Sequence, residues 1–201
     1  VLTALVYLGL AHSQSSVGVG VQISDNSGPI INLIFPFNNS GNMHGNITFS
    51  YNVSDASVVR NCSLIINNKV NSTSSPITKG TTMFFELNNS PIGFYNWSIN
   101  CTDSLGFVGT SPTRNVGSCF FTKFNGTSTN ISAVDMTNMS DFTLEVSTAG
   151  KMKFFDNMNF GQCFDFNSYI NISHNKIEMD SFQLSFLNRS ALLTLYGLTF
   201  S

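Results

Sequence analysis

Gly93-Phe94-Tyr95-Asn96-Trp97-Ser98-Ile99-Asn100-Cys101-Thr102-Asp103-Ser104-Leu105-Gly106 decides the fold of this chain. Tyr95, Trp97, Ile99 and Cys101 fall on one beat of a two-residue period; Asn96, Ser98 and Asn100 fall on the other. Successive side chains of a strand point to opposite faces, so this segment has an apolar face and a polar one, as in a half-buried antiparallel strand. Gly93 opens it, and a run of turn residues ending at Gly106 closes it.

The same alternation extends upstream. In Asn46-Ile47-Thr48-Phe49-Ser50-Tyr51-Asn52-Val53 every second residue is apolar. Asn61-Cys62-Ser63-Leu64-Ile65-Ile66 places Cys62, Leu64 and Ile66 inward, and Asn67-Asn68 supplies a turn after it. The Gly28-Pro29 turn signal precedes Ile30-Ile31-Asn32-Leu33-Ile34-Phe35, and Thr81 to Leu87 reads as a further strand. Short strands separated by Asn, Gly, Ser and Pro clusters, with no sustained helical period, predict a β-sandwich. The 201 residues leave room for a second domain beyond one sandwich of about a hundred.

The stretch Gly93 to Gly106 resembles the late-strand pattern of Ig-like modules in prokaryotic, particularly archaeal, cell-surface proteins: Gly-x-Tyr-x-(Trp or Val)-x-Val-x-Cys-x-Asp-x-x-Gly. The similarity continues through Tyr51-Asn52-Val53-Ser54-Asp55 and Asn61-Cys62-Ser63-Leu64, covering about residues 28–114. It departs from antibody domains, whose core Trp lies on a strand between the two Cys; here Trp97 and Cys101 share one strand. Phe107 stands where such modules often carry Asn. The resemblance implies an Ig-like fold and a role in display or adhesion, while a fold alone does not assign a function.

Charged residues make up only 10% of the chain, against about 25% in an average domain. A net charge of -2 and nine scattered basic residues offer no stripe for a phosphate backbone, which excludes nucleic acid as the expected partner. Surface polarity rests on Asn, Ser and Thr. Thirteen Asn-x-Ser/Thr triplets begin at Asn38, Asn46, Asn52, Asn61, Asn71, Asn88, Asn96, Asn100, Asn125, Asn130, Asn138, Asn171 and Asn188. That is about twice the number expected by chance, and it predicts an exported glycoprotein with these side chains outward.

The chain opens on an apolar stretch, Val1 to Ala11, followed by polar His12 to Ser16. As a helix, eleven residues span about 16 Å, half of a bilayer core. Residues 1–13 therefore read as a signal-peptide remnant, with Ala11 and Ser13 at the small positions of a cleavage site; a first buried strand is the alternative. Cys62, Cys101, Cys119 and Cys163 allow three complete pairings. They form no C-x-x-C and lie near none of the three His, so disulfides outweigh zinc. Pairing Cys62 with Cys101 and Cys119 with Cys163 gives one bridge per domain, the first expected across the sandwich core beside Trp97. Each closes a loop of about 40 residues and stabilises by about 4 kcal/mol in the loop-entropy model.

Residues 115–135, rich in Asn, Gly, Ser and Thr, are the expected linker or junction. Residues 136–201 read as a second β-rich domain. Phe142 to Phe154 forms a hairpin about Ser147-Thr148-Ala149-Gly150, and Tyr169 to Met179 echoes it about His174-Asn175. Two copies are too few for a solenoid. The apolar strand from Ala191 to Phe200 runs to the end of the sequence, so this domain is expected to be truncated and to continue into neighbouring domains of a longer chain.

Catalytic chemistry finds little footing. Glu178 and Asp180 share a spacing, Asp156 and Asp165 lie nearby, and His174 falls in a turn, but none sits in a motif, and solvated surface is the expectation. Asp25, Asp55 and Asp103 are candidates for calcium by composition; without an Asp-x-Asp-x-Asp-Gly loop, no metal site is assigned. Most aromatics occupy inward beats, while Phe107, Phe120, Phe121 and Phe124 lack clear phase and mark the expected place for any exposed aromatic patch. The sequence thus predicts an all-β chain: an Ig-like antiparallel β-sandwich followed by a second, incomplete β domain. Its expected role is that of a non-enzymatic, cofactor-free structural or adhesive module at the cell surface, meeting other surface proteins or glycans. A carbohydrate-binding accessory module of a secreted protein is the alternative.

Overall fold

A computed structural model describes the backbone of residues 4–5 and 22–23, and residues 25–198. Ala4–Leu5 (β1) and Gln22–Ile23 (β2) form a short antiparallel pair. The remainder of the expected signal remnant, residues 1–13, lies outside the described residues.

The next nine strands are β3 (Ile30–Phe35), β4 (Ser40–Asn42), β5 (Ile47–Ser54), β6 (Val59–Ile66), β7 (Lys69–Ser74), β8 (Met83–Leu87), β9 (Gly93–Asp103), β10 (Val108–Thr110) and β11 (Arg114–Ser118). They make a sandwich of two sheets, one ordered β3-β5-β8 and the other β4-β11-β9-β6-β7, with β10 also pairing β9. All pairings are antiparallel except β4 with β11. This is the Ig-like sandwich expected from the sequence.

The inward beats meet between the sheets. Leu33, Ile47, Phe49, Tyr51, Val53 and Phe85 come from the smaller sheet; Val59, Leu64, Trp97, Ile99 and Val116 come from the larger, and all are buried. Phe49 packs on Trp97 with ring centroids 4.9 Å apart. Truncating such a buried aromatic to Ala typically costs 3–5 kcal/mol, because the cavity relaxes only partly.

Cys62 and Cys101 are bonded, but not across the core. They are register partners on neighbouring strands β6 and β9, with Cα atoms 4.0 Å apart. Their shared inward beat arises because the two strands lie side by side in one sheet.

The last sandwich strand is broken. β10 pairs with Asn100 to Thr102 and β11 with Gly93 to Trp97, so both lie along the same edge of β9. Pro112 lacks an N–H and interrupts the ladder. Ser111 bridges the gap: its N–H donates to the Ile99 carbonyl at 2.9 Å, and its Oγ accepts from the Ile99 N–H at 2.9 Å.

Residues 115–135 take part in both cores. Residues 115–118 belong to β11, while Phe121, Phe124 and Ile131 are buried with the aromatics that follow. Their lack of periodicity hid this, since they form turns and a single 3-10 turn rather than strands. The second unit comprises β12 (Thr143–Val146), β13 (Gly150–Phe154), β14 (Ile170–Ser173), β15 (Lys176–Met179) and β16 (Ala191–Leu195), with one helical turn, α1 (Phe166–Tyr169). A β12-β13-β16 sheet and the β14-β15 hairpin enclose Phe121, Phe142, Phe154, Phe160 and Phe166, together with Met136, Met139, Met152 and Met158. Cys119 and Cys163 form the second disulfide, with Cα atoms 4.9 Å apart.

The two units are joined along β4 and β11. Met136 N donates to Asn39 O at 2.9 Å and Cys119 N to Asn42 O at 2.8 Å. A Cβ at Gly41 would stand 2.6 Å from Ile131 Cδ1, and one at Gly117 would stand 2.4 Å from Cys163 Sγ. Two glycines therefore let the second core close onto the sandwich edge.

Candidate metal centre

Three turns converge at one end of the sandwich. Asp103 ends β9, and its Oδ1 accepts from the N–H of Leu105 at 2.9 Å and of Phe107 at 2.8 Å, an Asp-led turn completed by Gly106 at φ +93. Asp55 follows β5, and its Oδ1 accepts from the Ser57 N–H at 2.7 Å. Asp25 precedes β3; its Oδ2 accepts from the same Ser57 N–H at 3.0 Å, while its Oδ1 accepts from Ser27 N and Oγ.

The fold thus gathers three acids 30 and more positions apart, where the sequence assigned no metal site. Carboxylate oxygens of Asp25, Asp55 and Asp103 all lie within 4.8 Å of one another. Asp103 is fully buried. Its Oδ2 and the Oδ2 of Asp55 are shielded from solvent and have no hydrogen-bond partner. A buried acceptor left unpaired is costly, and a buried anion more so.

No salt bridge relieves the cluster among the described residues. Lys79 Nζ, the nearby ammonium, donates to the carbonyls of Asp55 at 3.0 Å and Ser57 at 2.8 Å, and Arg60 reaches the Ser104 carbonyl. Hydrogen bonds from Ser57 and then Ser27 hold the Asp25 carboxyl well below its ordinary range. Burial, then the neighbouring Asp25 carboxyl, pushes Asp55 up. The donors are all oxygen, which suits a hard cation.

The other residues singled out in the sequence are dispersed. Glu178 pairs with Lys176 at 2.6 Å on the exposed β14-β15 hairpin, and His174 lies exposed in its turn. Asp180 caps the following turn, accepting from Phe182 N and Gln183 N, and Asp165 caps α1. Asp156 is exposed. Of the four aromatics without clear phase, Phe107 is exposed, Phe120 is half-buried, and Phe121 and Phe124 are buried, so they form no common patch. None of the thirteen sequon Asn residues is buried; Asn52, Asn61 and Asn100 are half-buried and the other ten are exposed.

A groove of about 460 Å³ in the second unit is lined by Asn159, Gln162, Phe164, Gln183 and Phe186 among others. Phe164 and Phe186 stack beside it with centroids 4.8 Å apart. Its lining is rings, amides and a hydroxyl, features that sequence periodicity did not bring together.

No family model matches the sequence, and no curated protein matches it. Among solved structures, the chain is similar to fibronectin(III)-like modules of CbhA from Clostridium thermocellum. The TM-score is 0.40 and the identity 18%, over 44% of this chain and 94% of that one. It is also similar to the SrpA adhesin R347E mutant from Streptococcus sanguinis, at TM-score 0.38 and 15% identity over 72% of this chain and 100% of that one. An engineered protein matches at TM-score 0.34 and 16% identity, over 46% of this chain and 20% of that one. The archaeal part of the resemblance finds no support among these neighbours. Likenesses this distant assign no activity or partner, and the fold described above rests on the strands themselves.

Proposed function

We propose that the chain is a non-enzymatic structural or adhesive module of an exported, cell-surface protein. The observation that carries this reading is that every cysteine is paired, one bridge within the sandwich and one closing the second unit onto it. Disulfides persist in oxidising compartments outside the cytosol. The units are seated on each other through β4 and β11 rather than strung on an exposed tether, an arrangement suited to a stiff spacer that presents its surface at a distance. The unburied sequon asparagines are compatible with a coat of sugars.

Surface labelling tests the proposal. A membrane-impermeant amine reagent applied to intact cells should modify the exposed lysines of the native protein, and non-reducing peptide maps should recover both bridges. Recovery of the protein in the cytosol with four free thiols would overturn it.

The groove beside Phe164 and Phe186 favours the carbohydrate-binding alternative as a second reading, since rings flanked by amides suit a sugar. Glycan-array binding lost on Phe186→Ala would support that reading, and an array without signal would remove it.

A further inference from the structure

We propose that Asp25, Asp55 and Asp103 form a calcium site that clamps the chain entering the sandwich to both of its sheets. Asp103 Oδ1 is engaged by two turn amides, which leaves Oδ2, buried and without a donor, as a free ligand atom on a carboxylate that lies within 4.8 Å of the other two. Asp55 Oδ2 is in the same condition. Ca²⁺ binds oxygens at about 2.3–2.6 Å, so two ligands on opposite sides of one ion stand up to roughly 4.6–5.2 Å apart. The 4.8 Å limit on the cluster falls within that span.

The ion meets a need that the protein leaves open. Lys79 and Arg60 donate to backbone carbonyls, and neither forms a salt bridge with the three acids. A divalent cation would give both orphaned oxygens, Asp55 Oδ2 and Asp103 Oδ2, a partner. Its ligands come from the segment before β3, from the end of β5 in the smaller sheet and from the end of β9 in the larger. One ion would thereby join three segments that are remote in sequence. Tolerance of irregular geometry favours Ca²⁺ over Mg²⁺, which demands a near-ideal octahedron and retains its waters.

The test uses the full chain, stripped of metal with EDTA and dialysed. Isothermal titration with CaCl₂ should show one site per chain, with Kd on the order of 10⁻⁴–10⁻³ M as in extracellular modules. The Tm should rise by several degrees at saturating Ca²⁺ and less with Mg²⁺. Asp25→Asn and Asp55→Asn should each weaken binding at least about tenfold, while in EDTA the Tm of Asp55→Asn, whose Oδ2 has no donor to lose, should equal or exceed that of the parent, because a repelling charge is gone. Absence of calcium binding at about 10 mM, ten times the weakest of these Kd values, would overturn the proposal. So would unchanged affinity in both variants, which would place the ion elsewhere. A Tm of Asp55→Asn lowered as much in EDTA as in calcium would also overturn it, marking the acids as partners of each other alone.

Discussion

Replacing Arg114 by alanine should loosen the contact between the two sheets. Arg114 opens β11 in the larger sheet, and its guanidinium reaches across to the end of β3 in the smaller one. Nη1 donates to the carbonyls of Ile34 at 3.3 Å and Pro36 at 2.9 Å, and Nη2 donates to Leu33 at 2.9 Å. The β3–β5 register shifts between Leu33 and Phe35, so this stretch departs from the regular ladder. A hydrogen bond to a charged group contributes roughly 1.5–3 kcal/mol when buried. Arg114 is half-buried, so water can recover part of each interaction. About 1 kcal/mol per bond, or about 3 kcal/mol in all, is the expected loss. For a chain of this size that lowers Tm by roughly 6–12 °C. Arg114→Lys should lose about 2 kcal/mol, because one ammonium cannot span three carbonyls as a planar fork does. Urea unfolding followed by Trp97 fluorescence measures both, with an unchanged m-value identifying a true stability change. A loss under about 0.5 kcal/mol for Arg114→Ala, or a lysine variant as stable as the parent, would refute the reasoning.

Cys101→Ser should cost about 2–5 kcal/mol, and a non-reducing peptide map of the parent should join Cys62 to Cys101 and Cys119 to Cys163. Glu145 is buried, accepts from Thr127 and from Tyr196 Oη at 2.8 Å, and those hydrogen bonds hold its carboxyl below the ordinary value. Its contribution is therefore complete above the unfolded carboxylate pKa and fades as pH falls through the lower folded value; Glu145→Gln should flatten that part of a Tm-against-pH curve. At Gly109 an added Cβ would lie 1.7 Å from the Pro29 carbonyl oxygen, whereas at Gly41 it meets the flexible ends of Ile131 and Met136. Gly109→Ala should thus cost more than Gly41→Ala in chemical denaturation, with about 1–3 kcal/mol for the overpacked site.

The sandwich was legible because its strands are amphipathic on a strict two-residue beat. Phe49, Tyr51, Val53, Leu64, Trp97 and Ile99 all went where alternation sent them. Strands without an apolar face were not legible. Lys69–Ser74 is an almost wholly polar edge strand, and Ser40–Asn42 is held by parallel pairing with β11, so neither carries a period. The burial of Phe121, Phe124 and Ile131 was hidden for a related reason, since turns place side chains without regular spacing. The three aspartates could be named from residue type. Their convergence depends on three turns separated by whole strands, which no spacing rule encodes.

The two bridges also set how far the chain can be drawn out under tension. Cys62 and Cys101 are 39 positions apart and Cys119 and Cys163 are 44 apart. At about 3.4 Å per extended residue, the bonds withhold roughly 130 Å and 150 Å of contour length. Strands β7 and β8 lie inside the first closed loop, whereas β3 and β5 lie outside it. A pull along the backbone could therefore strip β3 and β5 from the sandwich while β7 and β8 stay shielded, so an oxidised tether would give way in a short, covalently limited step rather than unravel from end to end.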